Sequence, residues 1–123
     1  MIEVGLSKSA KTKVLKENTA VSVGSGDLSV FATPMMVALM ENAALSVIQP
    51  FLSDEESSVG ILINVKHTRA SAIGREVIAT ATIKEVDGRR IVFDVKAEDE
   101  LGEIGSGVHE RFIINKQKFL SKL

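Results

Sequence analysis

The chain has no cysteine, no tryptophan and no tyrosine, and five phenylalanines supply all of its aromatic content. Without cysteine there is no disulfide, no thiolate nucleophile and no Cys-based zinc site, a usage that fits a reducing compartment. Charge of one sign is lacking too: 15 Lys and Arg stand against 16 Asp and Glu, for a net charge of −1. With few rings to stack bases and no basic excess to meet phosphates, nucleic acid is disfavoured as a partner. No apolar run approaches the roughly 18 residues of a membrane span, and none of signal-peptide length follows Lys8, Lys11, Lys13 and Lys16. These absences point to a cytoplasmic protein with no membrane partner. At 123 residues, 45% of them hydrophobic and 25% charged, the chain suits a single globular domain over residues 1–123.

What is present is organised around residues 30–51, VFATPMMVALMENAALSVIQPF. Thr33 followed by Pro34 makes a helix start, because a threonine oxygen can cap orphan N–H groups and proline near the first turn gives up no needed donor. Val37, Met40, Ala44, Val47 and Ile48 then recur at helical spacing, and Met36, Leu39, Ala43 and Leu45 widen the stripe almost all round. The pattern predicts an enclosed helix. Glu41 is its only ionisable residue and falls in line with Val37, Leu45 and Ile48, where an aliphatic belongs. A carboxylate removed from water needs a hydrogen-bonding network or must be kept neutral. Both outcomes suit a functional site. The bland alternatives are a polar seam shared with Asn42 and Ser46, or an inter-subunit ion pair.

The flanking sequence reads as strands. Residues 1–23 mix apolar pairs with lysines, predicting one or two strands, and Gly24 to Asp27 form a loop able to open and close over the helix start. Beyond Pro50 and a polar turn, Val59, Ile61, Ile63 and Val65 alternate inward, and His67 shares their parity. It is therefore expected at the strand end on the helix side. Asp87-Gly88 predicts a hairpin turn with positive φ at both positions, followed by Ile91, Phe93, Val95 and Ala97 facing the core. Gly105 and Gly107 in the last strand suggest a bulge or a close backbone approach, and residues 116–123 a terminal helical turn or a loose end. The expected order is strand, helix, then four consecutive strands in an antiparallel meander. A sheet of that kind wrapped around one apolar helix is an α+β hotdog fold.

Four stretches, VFATPMMVALMENAA, VKHTRAS, VDGRR and IGSGVHERF, lie in the same order and at matching separations as in the fluoroacetyl-CoA thioesterase-like branch of the hotdog thioesterases, which residues 30–112 resemble. The resemblance implies an acyl-CoA thioesterase with a short-chain substrate, working as a homodimer or dimer of dimers with acyl-CoA at the subunit interface and no cofactor. It implies a catalytic set of Thr33, Glu41 and His67, and a substrate-facing backbone at Gly60. Just before the helix, where that branch carries a gating phenylalanine, this chain has Asp27, which counts against fluoroacetyl selectivity.

Thioester hydrolysis needs an attacking oxygen, a base and donors for the oxyanion. The Thr33 hydroxyl and the N–H groups of Met35 and Met36, at the positive end of the helix, are the candidate donors. His67, with an intrinsic pKa of roughly 6.5, suits the base, oriented by a nearby Glu41; Thr33 is the nucleophile or positions one, and direct attack by Glu41 stays open. Eight helical residues rise about 12 Å, so Thr33 and Glu41 of one helix cannot touch. A substrate or His67 must bridge them, or one acts with the neighbouring subunit. His109 reads as structural, Arg69, Arg75, Arg89 and Arg90 as solvated, and two histidines without cysteine make a metal site unexpected. A hotdog hydratase or dehydratase, and a module that binds acyl-CoA without cleaving it, are the alternatives.

Overall fold

The computed structural model describes residues 1–123 and places five strands in one antiparallel sheet: β1 (Ser7–Lys13), β2 (Glu56–His67), β3 (Glu76–Asp87), β4 (Arg90–Asp99) and β5 (Gly102–Asn115). Three helices accompany them, α1 (Ala20–Val23), the long α2 (Thr33–Ile48) and the terminal α3 (Lys116–Leu120). Helix α2 packs chiefly against β1 and β3, and the core forms between Met36, Met40, Ala43, Ala44, Val47 and Ile48 on the helix and Val77, Ala79, Ala81, Ile83, Ile91, Phe93, Val95 and Ala97 on the sheet. This is the expected hotdog architecture. No helix is long and apolar enough to cross a membrane.

The strand order is β1-β3-β4-β5-β2, so the meander covers only β3, β4 and β5. Strand β2 pairs with β5 at one edge, and residues 68–75 carry the chain from there to β3. The N-terminal region holds one strand rather than two. Val21 and Val23 lie in or at the end of α1, exposed, and Gly24 caps that helix in the left-handed conformation at φ 78°. The hairpin turn is shifted by one residue: Asp87 pairs with Arg90, leaving Gly88 and Arg89 as the turn with positive φ only at Gly88.

Helix α2 is not enclosed. Thr33, Pro34, Ala38 and Asn42 are exposed and Val37 and Leu45 half-buried, because the single sheet covers one face only. Strand β2 also departs from strict alternation. A bulge between Gly60 and Leu62 leaves Ile61 without a partner and switches the inward set from Ser58 and Gly60 to Ile63, Val65 and His67. Val59 and Ile61 therefore leave the expected core set, and Ile61, Leu62 and Ile63 are all exposed.

Gly105 lies opposite His67 and is needed for close approach. A Cβ there would stand 2.6 Å from the Lys66 carbonyl oxygen and 2.7 Å from Met36 Sδ. Gly105→Ala is expected to destabilise the fold by about 1–3 kcal/mol through overpacking; an unchanged denaturation midpoint would refute that close packing.

Candidate active site

At the N-terminal end of α2 the expected threonine cap is replaced by another arrangement. Ala32 is the N-cap residue, with no side-chain cap, and Thr33 begins the helix. The Thr33 hydroxyl is thereby free of capping duty and lies 2.8 Å from His67 Nδ1. His67 reaches it because the β2 bulge restores odd residues to the helix side, as the strand pattern predicts for its C-terminal half. Burial holds the His67 imidazole below its ordinary pKa, offset in part by the Arg69 backbone, so the ring is neutral at neutral pH and Nδ1 can accept the Thr33 proton. Its Nε2 is buried with no hydrogen-bond partner in the chain. The pair borders a cavity of about 240 Å³, lined also by Ser25, Phe31, Thr68 and Arg69.

Met35 and Met36 do not supply free donors. Both N–H groups already donate to the Ala32 carbonyl at 3.0 Å, and the Met36 side chain is fully buried against the Gly105 backbone.

Glu41 belongs to a second cluster, two turns along the same helix. Its side chain is 41% exposed, so it is not the enclosed carboxylate that the apolar stripe suggests. One oxygen, Oε2, lies 3.8 Å from Nη1 of Arg111, whose side chain is only 8% exposed. Arg111 donates from Nε to Ser58 Oγ at 2.8 Å and from Nη2 to the Ser58 carbonyl at 2.9 Å. Its Nη1 lies 3.3 Å from His109 Nε2, while His109 Nδ1 lies 2.8 Å from the Leu62 carbonyl oxygen. A carbonyl can only accept, so His109 carries its proton on Nδ1 and offers Nε2 to Arg111. Burial and the adjacent Arg111 charge lower the His109 pKa, which keeps this tautomer neutral.

Gly60 forms the floor of this cluster. A Cβ there would stand 2.8 Å from Glu41 Oε2 and 3.2 Å from His109 Cε1, so the missing side chain preserves a hollow of about 230 Å³ bordered by Glu41, Gly60, Leu62 and His109. Thr33 and His67 thus meet at the N-terminal end of the helix, Glu41 and Gly60 two turns further along it. They are separated by about 12 Å along the helix and about 20 Å along the strand. Within one chain, Glu41 does not orient His67. No group of three or more His, Cys, Asp or Glu side chains is placed to hold a metal ion.

Arg111 and Ser58 are site residues that the sequence pattern passed over, and His109 is more than a packed ring. A signal was present: Arg111 shares the inward parity of His109 and Ile113 on β5, a charge at a core position, the same anomaly that marks Glu41.

Comparison with known proteins bears on this geometry. Residues 14–117 match the family model described as FlK, fluoroacetyl-CoA-specific thioesterase. The chain is 46% identical over 94 residues to the fluoroacetyl-CoA thioesterase of Streptantibioticus cattleyicolor, covering 76% of this chain and 68% of that protein. Among solved structures it is similar to the fluoroacetyl-CoA thioesterase FlK, with a TM-score of 0.94 and 37% identity over 99% of this chain and 95% of that one. A variant of FlK bound to fluoroacetate and CoA gives a TM-score of 0.90 at 37% identity, covering 96% and 99% of the two chains. A thioesterase superfamily member from Thermus thermophilus gives 0.91 at 31% identity, covering 99% and 90%.

Proposed function

The chain belongs to the fluoroacetyl-CoA-specific thioesterase family, and from that premise we propose that this acyl-CoA thioesterase hydrolyses a short-chain acyl-CoA with Thr33, His67 and Glu41 in a site completed by two subunits. The observation that carries the reading is the 2.8 Å contact between Thr33 Oγ1 and His67 Nδ1, made by a hydroxyl with no capping role. His67 Nδ1 takes the proton of the attacking hydroxyl, either Thr33 itself or a water that Thr33 holds, as the oxygen adds to the thioester carbonyl. The C–S bond then breaks and the CoA thiolate leaves, taking the proton from His67; where Thr33 is the attacker, a water that His67 deprotonates then cleaves the Thr33 ester to free acid and restores the hydroxyl. Arg111 and the backbone at Gly60 face the acyl end beside Glu41. No step calls for a cofactor, and a cytoplasmic location is in keeping with the absence of cysteine.

Two features support a homodimer. Strand β2 has an open edge, since only β5 pairs with it, and that edge carries the exposed Ile61, Leu62 and Ile63. Pairing β2 with its own copy about a two-fold axis at residue 64 sets, once the bulge at Ile61 is counted, Gly60 of one subunit opposite His67 of the other. Glu41 of one subunit then stands by Thr33 and His67 of its neighbour, which unites the two clusters.

Release of CoA thiol from a panel of acyl-CoAs, short to long and including fluoroacetyl-CoA, measures the chain-length preference. Subunit mixing tests the shared site. Thr33→Val and Glu41→Gln homodimers are each expected to be inactive, and refolding them together should restore about 25% of wild-type activity, because half the dimers are mixed and each mixed dimer holds one intact site. No recovery on mixing would place all three residues in one subunit's site and overturn the arrangement. Turnover of crotonyl-CoA without thiol release would instead favour the hydratase alternative.

A further inference from the structure

Asp99 ends β4 with its side chain only 1% exposed, and the hydrolytic step does not use it. Its Oδ1 accepts from Arg69 Nη2 at 2.7 Å and from the Leu101 N–H at 2.8 Å, and its Oδ2 accepts from Ser71 Oγ at 2.7 Å. Burial by itself would push the carboxyl up, but these donors hold it below the usual carboxylate range, so Asp99 is an anion at neutral pH.

The segment that Asp99 grips, residues 68–71, follows directly on His67. The N–H groups of Thr68 and Arg69 both donate to the Ile104 carbonyl, at 2.7 and 3.2 Å. The Ser71 carbonyl accepts from the Phe31 N–H at 2.9 Å, and Ala72 forms a bridge with Val30. One side of this junction delivers the imidazole and the other, two residues after Phe31, delivers the Thr33 hydroxyl. Arg69 also lines the Thr33–His67 cavity, and its Nη2 is fixed a second time by the Gly102 carbonyl at 2.7 Å.

We propose that Asp99 is a positioning residue: by holding Arg69 and Ser71 it sets the spacing of Thr33 Oγ1 and His67 Nδ1. The inference rests on the reading of Thr33 and His67 as the working pair. A buried carboxylate with three donors also supports the fold, so the two roles must be separated by what they change. Loosening the junction alters the near-attack geometry and lowers kcat, whereas acyl-CoA is held by other groups and KM is largely retained. A misplacement of about 1 Å costs up to about 100-fold in rate.

The test compares Asp99→Asn and Ser71→Ala with Ile48→Val, a core change at the far end of α2. Asp99→Asn is expected to lose about 10- to 100-fold in kcat with KM little changed, and to move the acid limb of kcat/KM because the surroundings of His67 shift. Ser71→Ala should move both readouts in the same direction while leaving the ion pair with Arg69, and it carries the test if Asp99→Asn does not fold. Ile48→Val, which lowers stability without touching the junction, should keep the wild-type kcat and pH profile. If the Asp99 and Ser71 variants match Ile48→Val in both, the positioning role is wrong. Turnover unaffected by Thr33→Val would sink the underlying reading instead, whereas turnover that needs Thr33 but ignores Asp99 and Ser71 sinks only this inference.

Discussion

Glu41→Gln should lower kcat by about 10²- to 10⁴-fold, the range associated with a positioned acid or base, while leaving a folded protein. The fold is expected to survive because the side chain is partly in solvent, its contact to Arg111 is a 3.8 Å ion pair, and the hydrogen bonds from Arg111 to Ser58 remain. What the substitution removes is negative charge at the mouth of the Gly60 hollow. That charge is the one group in the cluster able to stabilise an imidazolium or to draw a proton from water. Circular dichroism and a thermal melt would confirm folding, and thiol release would measure turnover. Hydrolysis at the wild-type rate would remove Glu41 from the catalytic set and leave its pairing with Arg111 as a purely structural contact.

His67→Ala is expected to cost a similar 10²- to 10⁴-fold in kcat, and it should also erase the acid limb of the pH profile. In the wild type that limb has a definite sign. The base works when neutral, so activity is present above the His67 pKa and lost as pH falls through it. Because burial lowers that pKa, the midpoint of kcat/KM should lie on the acid side of an ordinary histidine. A midpoint above the ordinary value would mean that a carboxylate, such as Glu41 of the neighbouring subunit, stabilises the His67 cation and outweighs burial. An acid limb that persists unchanged in His67→Ala would assign the titration to another group, such as His109, which burial also lowers.

The long helix, the strands and the inward position of His67 were legible because each rests on local periodicity. The β3–β4 hairpin was legible to within a residue, for the sequence shows that Gly88 will take positive φ but not which pair of residues closes the ladder. The place of β2 was not legible. Sequence neighbours pair by default, whereas β2 is tied to β5 by contacts distant in the chain, and the bulge at Ile61 that resets its parity leaves no mark in the alternation of apolar residues. Thr33, Glu41, His67 and Gly60 stand out as residues, but their division into two clusters is a tertiary fact. Apolar patterning also misjudged how deeply Glu41 sits: the same stripe describes a helix covered by one sheet and a helix covered by a sheet and a second copy of itself. Arg111 was not legible as a site residue because its charge sits mid-strand among core residues, while the other arginines stand at strand ends and turns.

The open edge of β2 bears on how the polypeptide survives its own synthesis. A newly folded single chain presents unpaired N–H and C=O groups beside three consecutive aliphatic side chains, a combination that templates non-native strand addition and precipitation. Asn64 and Lys66 guard only the later part of that edge. Leu62→Lys is therefore expected to improve solubility of the isolated chain while disfavouring the proposed pairing of β2 with its copy. In the proposed dimer the same three residues therefore trade colloidal behaviour against assembly.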